Sequence, residues 1–216
     1  MLLELADWRR STAEMYAAVR RSSTENPEGA WRDFLETRSR MFRTHPQSPL
    51  PEERKATFRA LRYFPYNQAL RFRAQAVPVD GEKEARALPV DLPEGKAILL
   101  PFAHVRFSGM KLTLYWIQGY GGGLFLPFKD RTNGTETYGG GRYLYDTIKG
   151  ADLGASPDAI LLDFNFAYNP SCAYSPQWTC PLAPAENTLP LRIEAGELAL
   201  EEEAPSGRPA LPPGAG

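Results

Sequence analysis

The chain is poor in several things that would name a function. Its 216 residues include only two cysteines, two histidines and four methionines. Two cysteines do not make a disulfide framework. They stand at positions 172 and 180, a spacing that is neither a zinc knuckle nor a Cys-x-x-Cys redox pair. With His45 just before Pro46 and His104 inside an alternating stretch, no metal site is expected. An excess of one charge is also missing: 25 Lys and Arg face 26 Asp and Glu, a net charge of −1. That balance argues against a nucleic-acid footprint or a polybasic membrane surface. Long apolar runs are absent too. Near the N-terminus Leu2, Leu3 and Leu5 are interrupted by Glu4 and Asp7, so neither a secretory signal nor a membrane span is expected, and the chain is assigned to the cytoplasm. There is no Gly-x-Ser-x-Gly elbow, no His-Glu-x-x-His and no phosphate-binding loop, which sets aside the usual serine hydrolases, zinc peptidases and loop-type NTPases.

What is present is an ordinary apolar share, 43%, together with 20 prolines and 18 glycines. The apolar share is enough for a buried core. The Arg excess over Lys, the many prolines and the scarcity of Met and Cys suit a thermophilic or high-GC source.

Two amphipathic helices open the chain. Leu5, Trp8, Thr12, Met15, Tyr16 and Val19 recur at helical spacing, which predicts a helix over 3–21. Asn26 can cap and Pro27 can open a second helix, whose inner face carries Trp31, Phe34, Leu35, Arg38, Met41 and Phe42. Pro51 starts a short third helix, with Phe58 and Leu61 on its inner side. After Tyr63 the period changes to two. Phe72, Ala74 and Ala76 alternate with Arg71, Arg73 and Gln75, the pattern of a half-buried strand. Further strands are expected at 98–102, 104–107, 112–117, 124–128, 142–145, 160–165 and 191–194, with a hairpin at Ser108-Gly109. Short strands separated by Gly and Pro turns predict an α+β fold: N-terminal helices packed on a single antiparallel β-barrel or β-sandwich. The expected segments are 1–62 helical, 63–197 antiparallel β, and 198–216 a disordered acidic and Pro-rich tail.

Most of the unusual residues fall in one polar, aromatic block at 130–187. Such a block is expensive to bury unless each polar group finds a partner or a ligand. Gly140 lies inside a Gly-Gly-Gly-Arg run; consecutive glycines let backbone N–H groups approach a ligand, and Arg142 could grip an anion with two N–H groups. The plainer alternative is a strand entering a tight bend, with Arg142 paired to a local carboxylate. Asp130, Glu136 and Asp163 could serve as acid or base, though Asp130 sits in turn chemistry and Asp163 could cap the loop that follows. Asn165, Tyr168 and Asn169 could orient a polar ligand or tie down an irregular loop. Cys172 and Cys180 read as buried thiols, with a bridge as the alternative.

A set of segments in fixed order is familiar. They are Ser48-Pro49-Leu50-Pro51, Leu61-Arg62-Tyr63-Phe64-Pro65, Leu124 to Asp130, Gly134 to Leu144, Asp163 to Tyr174, Cys180-Pro181-Leu182, Glu186-Asn187 and Ile193 to Glu197. Together they resemble a bacterial family known as a domain of unknown function, DUF1684, over roughly 31–197. The resemblance implies the domain architecture and carries no catalytic residue.

The expectation is therefore a soluble β-barrel-type domain binding a small anionic or polar molecule between the 130–142 and 163–187 loops. Arg142 would hold the anion and Asp130, Tyr138, Gly140, Asn165, Tyr168, Asn169, Cys172 and Cys180 would line the site. Two alternatives stand beside it: a metal-independent hydrolase or isomerase using Glu136 or Asp163, and a structural protein with no ligand, whose N-terminal helix docks a partner or a second copy. No cofactor is indicated, and neither nucleic acid nor membrane is an expected partner.

Overall fold

The structure is a computed structural model that describes residues 2–81, 86–92, 95–157 and 159–200. Two helices come first, α1 (Leu2–Ser22) and α2 (Pro27–Thr44), then the one-turn α3 (Glu52–Lys55). The Asn26 side chain accepts from the Gly29 N–H at 3.0 Å, and Pro27 fills the first helical position where no N–H is needed. α2 ends at His45, whose N–H bonds the Met41 carbonyl, directly before Pro46. The buried residues of α1 are Thr12, Met15, Tyr16 and Val19, as the helical spacing predicts. Tyr16 meets Phe34 edge-on at 5.4 Å, and Phe34 in turn meets Phe166 at 5.1 Å. The helical pair is thus pinned to the sheet by a chain of rings.

Among the described residues eight strands follow: β1 (Arg71–Pro78), β2 (Leu88–Leu92), β3 (Gly95–Phe107), β4 (Met110–Gln118), β5 (Gly123–Phe128), β6 (Arg142–Asp146), β7 (Ala155–Ser156) and β8 (Ala159–Asp163). All their pairings are antiparallel. The order is β6-β5-β4-β3-β1-β8-β7, with β2 added against the first half of β3. The sheet curls into a half-barrel, so the fold is α+β with a barrel-like sheet. The register shifts between Pro101 and Ala103 in the β3–β4 pair, and between Leu126 and Pro127 in the β5–β6 pair. A proline cannot donate to the ladder, so the pairing slips there and the sheet bends. Ser108 and Gly109 turn the β3–β4 hairpin with φ of 47° and 76°, as a two-residue turn of this hand requires.

The main core lies between the helices and one face of the sheet, and includes Tyr16, Phe34, Leu112, Leu114, Leu126, Leu144, Leu162 and Phe164. Leu99, Tyr115, Phe125 and Tyr143 form a smaller cluster apart from it. Two local expectations need correction. Residues 191–194 form no strand: Ile193 is buried, but its N–H goes to the Asp130 side chain and its carbonyl accepts from Arg142, so side chains replace a ladder. β8 stops at Asp163, because that side chain accepts from the Asn165 N–H and starts a 3-10 turn at Phe164–Phe166. β2 lay hidden in the sequence because Pro89 sits inside it, which is tolerated at a sheet edge. Of the expected tail, residues 201–216 lie outside the described residues. Leu198 donates its N–H to the Arg62 carbonyl and Ala199 to the Glu136 carbonyl, each at 2.8 Å.

Candidate functional site

The polar block of 130–187 does not converge on one hollow. It divides into clusters, most of which satisfy themselves. The first is Asp130 with Arg142. Both side chains are shut off from water, and Arg142 Nη2 donates to Asp130 Oδ2 at 2.7 Å. The guanidinium also donates to the carbonyls of Ala195 and Ile193 and lies over the Phe128 ring. Asp130 Oδ1 accepts from the Thr132 N–H and hydroxyl, at 2.8 and 2.7 Å, and from the Ile193 N–H at 3.2 Å. Burial pulls the Arg142 pKa below its ordinary value and Asp130 opposes that, so the group stays a cation bound into the core. Arg142 therefore ties the 191–195 strand-like segment to the turn; it does not face an incoming anion. Gly141, with φ of +95°, sits so close to the Phe128 carbonyl that a Cβ would lie 2.6 Å from it. The glycine run thus serves the entry of β6, and Gly140 lies against the Tyr138 ring.

Glu136 is elsewhere. Its side chain is 37% exposed and pairs with Arg192 at 2.6 Å. The structure does not bring it to Arg142. Asp163 has no exposure; it accepts from the N–H and Nδ2 of Asn165, and its second oxygen faces Arg71 Nε at 3.3 Å. Burial raises the Asp163 pKa, against the lowering pull of Asn165 and Arg71. Asn165 is consumed as well: Nδ2 donates to the Asn67 carbonyl and Oδ1 accepts from the Asn67 N–H. Asp163 is thus buried away from solvent, whereas Glu136 stands at the surface in an ion pair with Arg192. The loop 168–189 is held by Asn187, whose Nδ2 donates to the carbonyls of Thr113 and Pro127 while Oδ1 accepts from the Thr113 N–H.

A small hollow does stand beside part of this block, and it has a different owner. It lies where α1, α2, the end of β6 and the 168–174 segment meet, with a volume of about 60 Å³. Trp8, Thr12 and Tyr16 line it from α1, Arg38 and Phe42 from α2, Tyr143 and Asp146 from β6, and Tyr168, Asn169 and Tyr174 from the loop. That space exceeds what one water requires. Arg38 is held between two rings, 4.6 Å from the Phe42 centroid and 4.9 Å from that of Tyr168. Its Nη2 donates to Glu197 Oε2 at 3.1 Å, with side-chain exposures of 9% and 1%. Glu197 is saturated, because it also accepts from the Asn169 N–H at 3.0 Å, the Tyr63 hydroxyl at 3.3 Å and the Tyr174 hydroxyl. Burial works to lower the Arg38 pKa and is the largest single influence, but Glu197 together with Tyr63, Tyr174 and Tyr16 outweighs it and the net shift is upward. Burial also raises Tyr16 well above the phenol range, so its hydroxyl is neutral and can donate.

Three atoms of these lining residues are buried without a hydrogen-bond partner: Tyr16 Oη, Arg38 Nε and Asn169 Oδ1. The orientation of Asn169 is set by its Nδ2, which donates to the Leu198 carbonyl at 2.8 Å, so Oδ1 is left as an acceptor. Two donors and one acceptor are therefore left without partners in the residues that wall the hollow. Its formal charges cancel: Arg38 and Lys149 stand with Glu197 and Asp146, and Lys149 Nζ lies 3.5 Å from Asp146. Of the expected site residues, Tyr168 and Asn169 line this hollow. Sequence reasoning passed over Tyr16, Arg38 and Glu197. One signal was visible: Arg38 is a cation on the apolar face of α2.

The remaining cluster joins Tyr138, Cys172 and Cys180. The Tyr138 hydroxyl lies 3.5 Å from Cys172 Sγ, and the Cys172 N–H donates to Cys180 Sγ at 3.4 Å. Among the described residues no group of three His, Cys, Asp or Glu could hold a metal ion, and no helix is long and apolar enough to cross a membrane.

Comparison with known proteins places the chain. The family model described as "Protein of unknown function (DUF1684)" matches residues 56–198, so the chain belongs to that family. The solution NMR structure of an uncharacterized protein from Haloarcula marismortui is similar to it, with 31% identity and a TM-score of 0.57. That match covers 82% of this chain and 96% of the other. No curated protein matches. Glu197, Asn169 and the three loop and strand tyrosines fall within the family span, whereas Tyr16 and Arg38 precede it.

Proposed function

We propose that this protein binds a small polar molecule in the hollow between its helical pair and the 168–174 segment. The observation that carries the reading is the presence of three unpartnered buried polar atoms, on Tyr16, Arg38 and Asn169, in residues that line one cavity. An unpartnered buried polar group costs about 1–3 kcal/mol, so three in one place call for an occupant that supplies the missing bonds. Such an occupant presents an acceptor to Arg38 Nε and the Tyr16 hydroxyl and a donor to Asn169 Oδ1. The cancelling charges favour a neutral molecule, and the volume limits it to a few heavy atoms; small amides and hydroxy acids in their neutral form have this pattern. The expected ligand class is thus kept in part, while its place moves from Arg142 to Arg38.

Melting curves in the presence of urea, acetamide, glycolic acid or phosphate test this. A rise with an amide that disappears in Tyr16→Phe supports the reading, whereas a rise confined to glycolate or phosphate overturns the neutral-ligand assignment. A flat response to the whole panel, together with a high-resolution map showing only waters in the hollow, overturns it. For the 130–142 turn the self-paired bonds of Asp130 and Arg142 favour the structural reading.

A further inference from the structure

The cysteine cluster stands apart from the hollow and from any role given to it above. The chain leaves the 3-10 turn Ser171–Ala173, bends through Ser175 to Trp178, and returns so that Cys180 faces the backbone of Cys172. The return is anchored by the Tyr143 hydroxyl, which donates to the Pro181 carbonyl beside Cys180. Both thiols are partly exposed and unbridged. We propose that Cys172 and Cys180 form a reversible dithiol–disulfide site, with Cys172 as the thiol attacked by a hydroperoxide and Cys180 as the resolving thiol.

Two features distinguish their roles. The Tyr138 hydroxyl, 3.5 Å from Cys172 Sγ, can donate to a thiolate there. The bond shared with Cys180 lowers Cys172 to about 6 and raises Cys180, which favours Cys172 as the thiol that ionises first. A thiolate that is solvent-accessible and set beside a second thiol is the arrangement of a redox-responsive cysteine.

The chemistry balances. The Cys172 thiolate attacks one oxygen of hydrogen peroxide and the O–O bond breaks. A sulfenic acid forms, and the departing hydroxide takes a proton from solvent. Cys180, losing its proton to solvent, then attacks the sulfenic sulfur. The S–O bond breaks, hydroxide leaves and is protonated, and the S–S bond closes. Two thiols lose two electrons, and the peroxide becomes two waters. A small dithiol reverses the step by exchange. Pro170 and Ser171 line the hollow and directly precede Cys172, so bridging stiffens one wall of that cavity.

The test uses the full chain. At neutral pH, stoichiometric hydrogen peroxide should remove both titratable thiols, leave the protein monomeric by non-reducing electrophoresis, and yield one crosslinked peptide joining Cys172 to Cys180. Dithiothreitol should restore both thiols. In Cys180→Ser a dione reagent should trap sulfenic acid on Cys172, whereas Cys172→Ser should react roughly tenfold more slowly with peroxide. If a serine variant misfolds, brief iodoacetamide labelling of the wild type replaces it: Cys172 labelled first supports the assignment and Cys180 labelled first overturns it. Bridging between two chains, independent oxidation of each cysteine to sulfinic acid, or thiols untouched by peroxide would each overturn the site.

Discussion

Arg38 and Glu197 lie 159 residues apart in the chain and 3.1 Å apart in the structure, joined as an ion pair almost without exposure. One partner comes from the helical pair and the other from the last described segment. The pair therefore fastens α2 to the chain end, and the Tyr63 and Tyr174 hydroxyls close around the same carboxylate. Taking one partner away strands the other charge in the core. Arg38→Ala should destabilise the protein by about 3–5 kcal/mol, and Glu197→Ala by a similar amount. The double variant should lose clearly less than the sum, because neither charge is then stranded. Urea unfolding of the four proteins measures this, and additive losses would show that the two side chains do not act as a pair.

Arg142→Ala should act as a core lesion. It removes the partner of a buried Asp130 and leaves the carbonyls of Ile193 and Ala195 without their donor. A loss of about 3 kcal/mol or more is expected, with a clear fall in melting temperature. Arg142→Lys should recover only part of it, since one ammonium cannot span the carboxylate and two carbonyls. An unchanged melting temperature for Arg142→Ala would count against its structural role and return it to the anion-gripping reading.

Asn187→Ala should loosen the 168–189 loop from the sheet. Three backbone groups of β4 and β5 lose their partner at once, in a residue with no exposure. The expected loss is about 2–4 kcal/mol. Amide hydrogen exchange should accelerate at Thr113, whose N–H is bound by Asn187 Oδ1. Protection unchanged at that amide would show that the loop is held by other contacts.

Alkylation of Cys172 should follow an acidic titration. The thiolate is the reactive form, and the bond from Cys180 lowers Cys172 to about 6. The rate should therefore rise with pH up to about 6 and then level off, falling roughly tenfold per unit below that. Tyr138→Phe removes a donor to the thiolate and should move the midpoint upward. Iodoacetamide kinetics followed by peptide mass read the profile, and a midpoint near 8.5, the ordinary thiol value, would contradict the arrangement.

The helices were legible because their information is local. Asn26, Pro27 and the apolar spacing of α1 and α2 act within a few residues, and the same holds for Ser108-Gly109 and the alternation of β1. The site was legible only in part. Asp130, Arg142 and Asn165 drew attention as polar residues in an aromatic block, and they proved to be one another's partners or partners of backbone groups. Arg38 gave a weaker signal, a single cation on an apolar helix face. Nothing in the sequence linked it to Glu197, because a pairing over that separation leaves no periodic trace.

By itself the sequence determined the helix boundaries, the strand alternation and the family to which the chain belongs, all of which depend on neighbours in the chain. Only the tertiary structure decided which polar groups are spent on the fold and which stay open. That choice depends on who meets whom after the sheet curls: both arginines keep a buried, unbonded Nε, but Arg142 is turned inward onto Asp130 while Arg38 lines a cavity. Burial penalises every unpaired polar atom alike, so its position relative to partners, and not its residue type, decides which one is left without a bond.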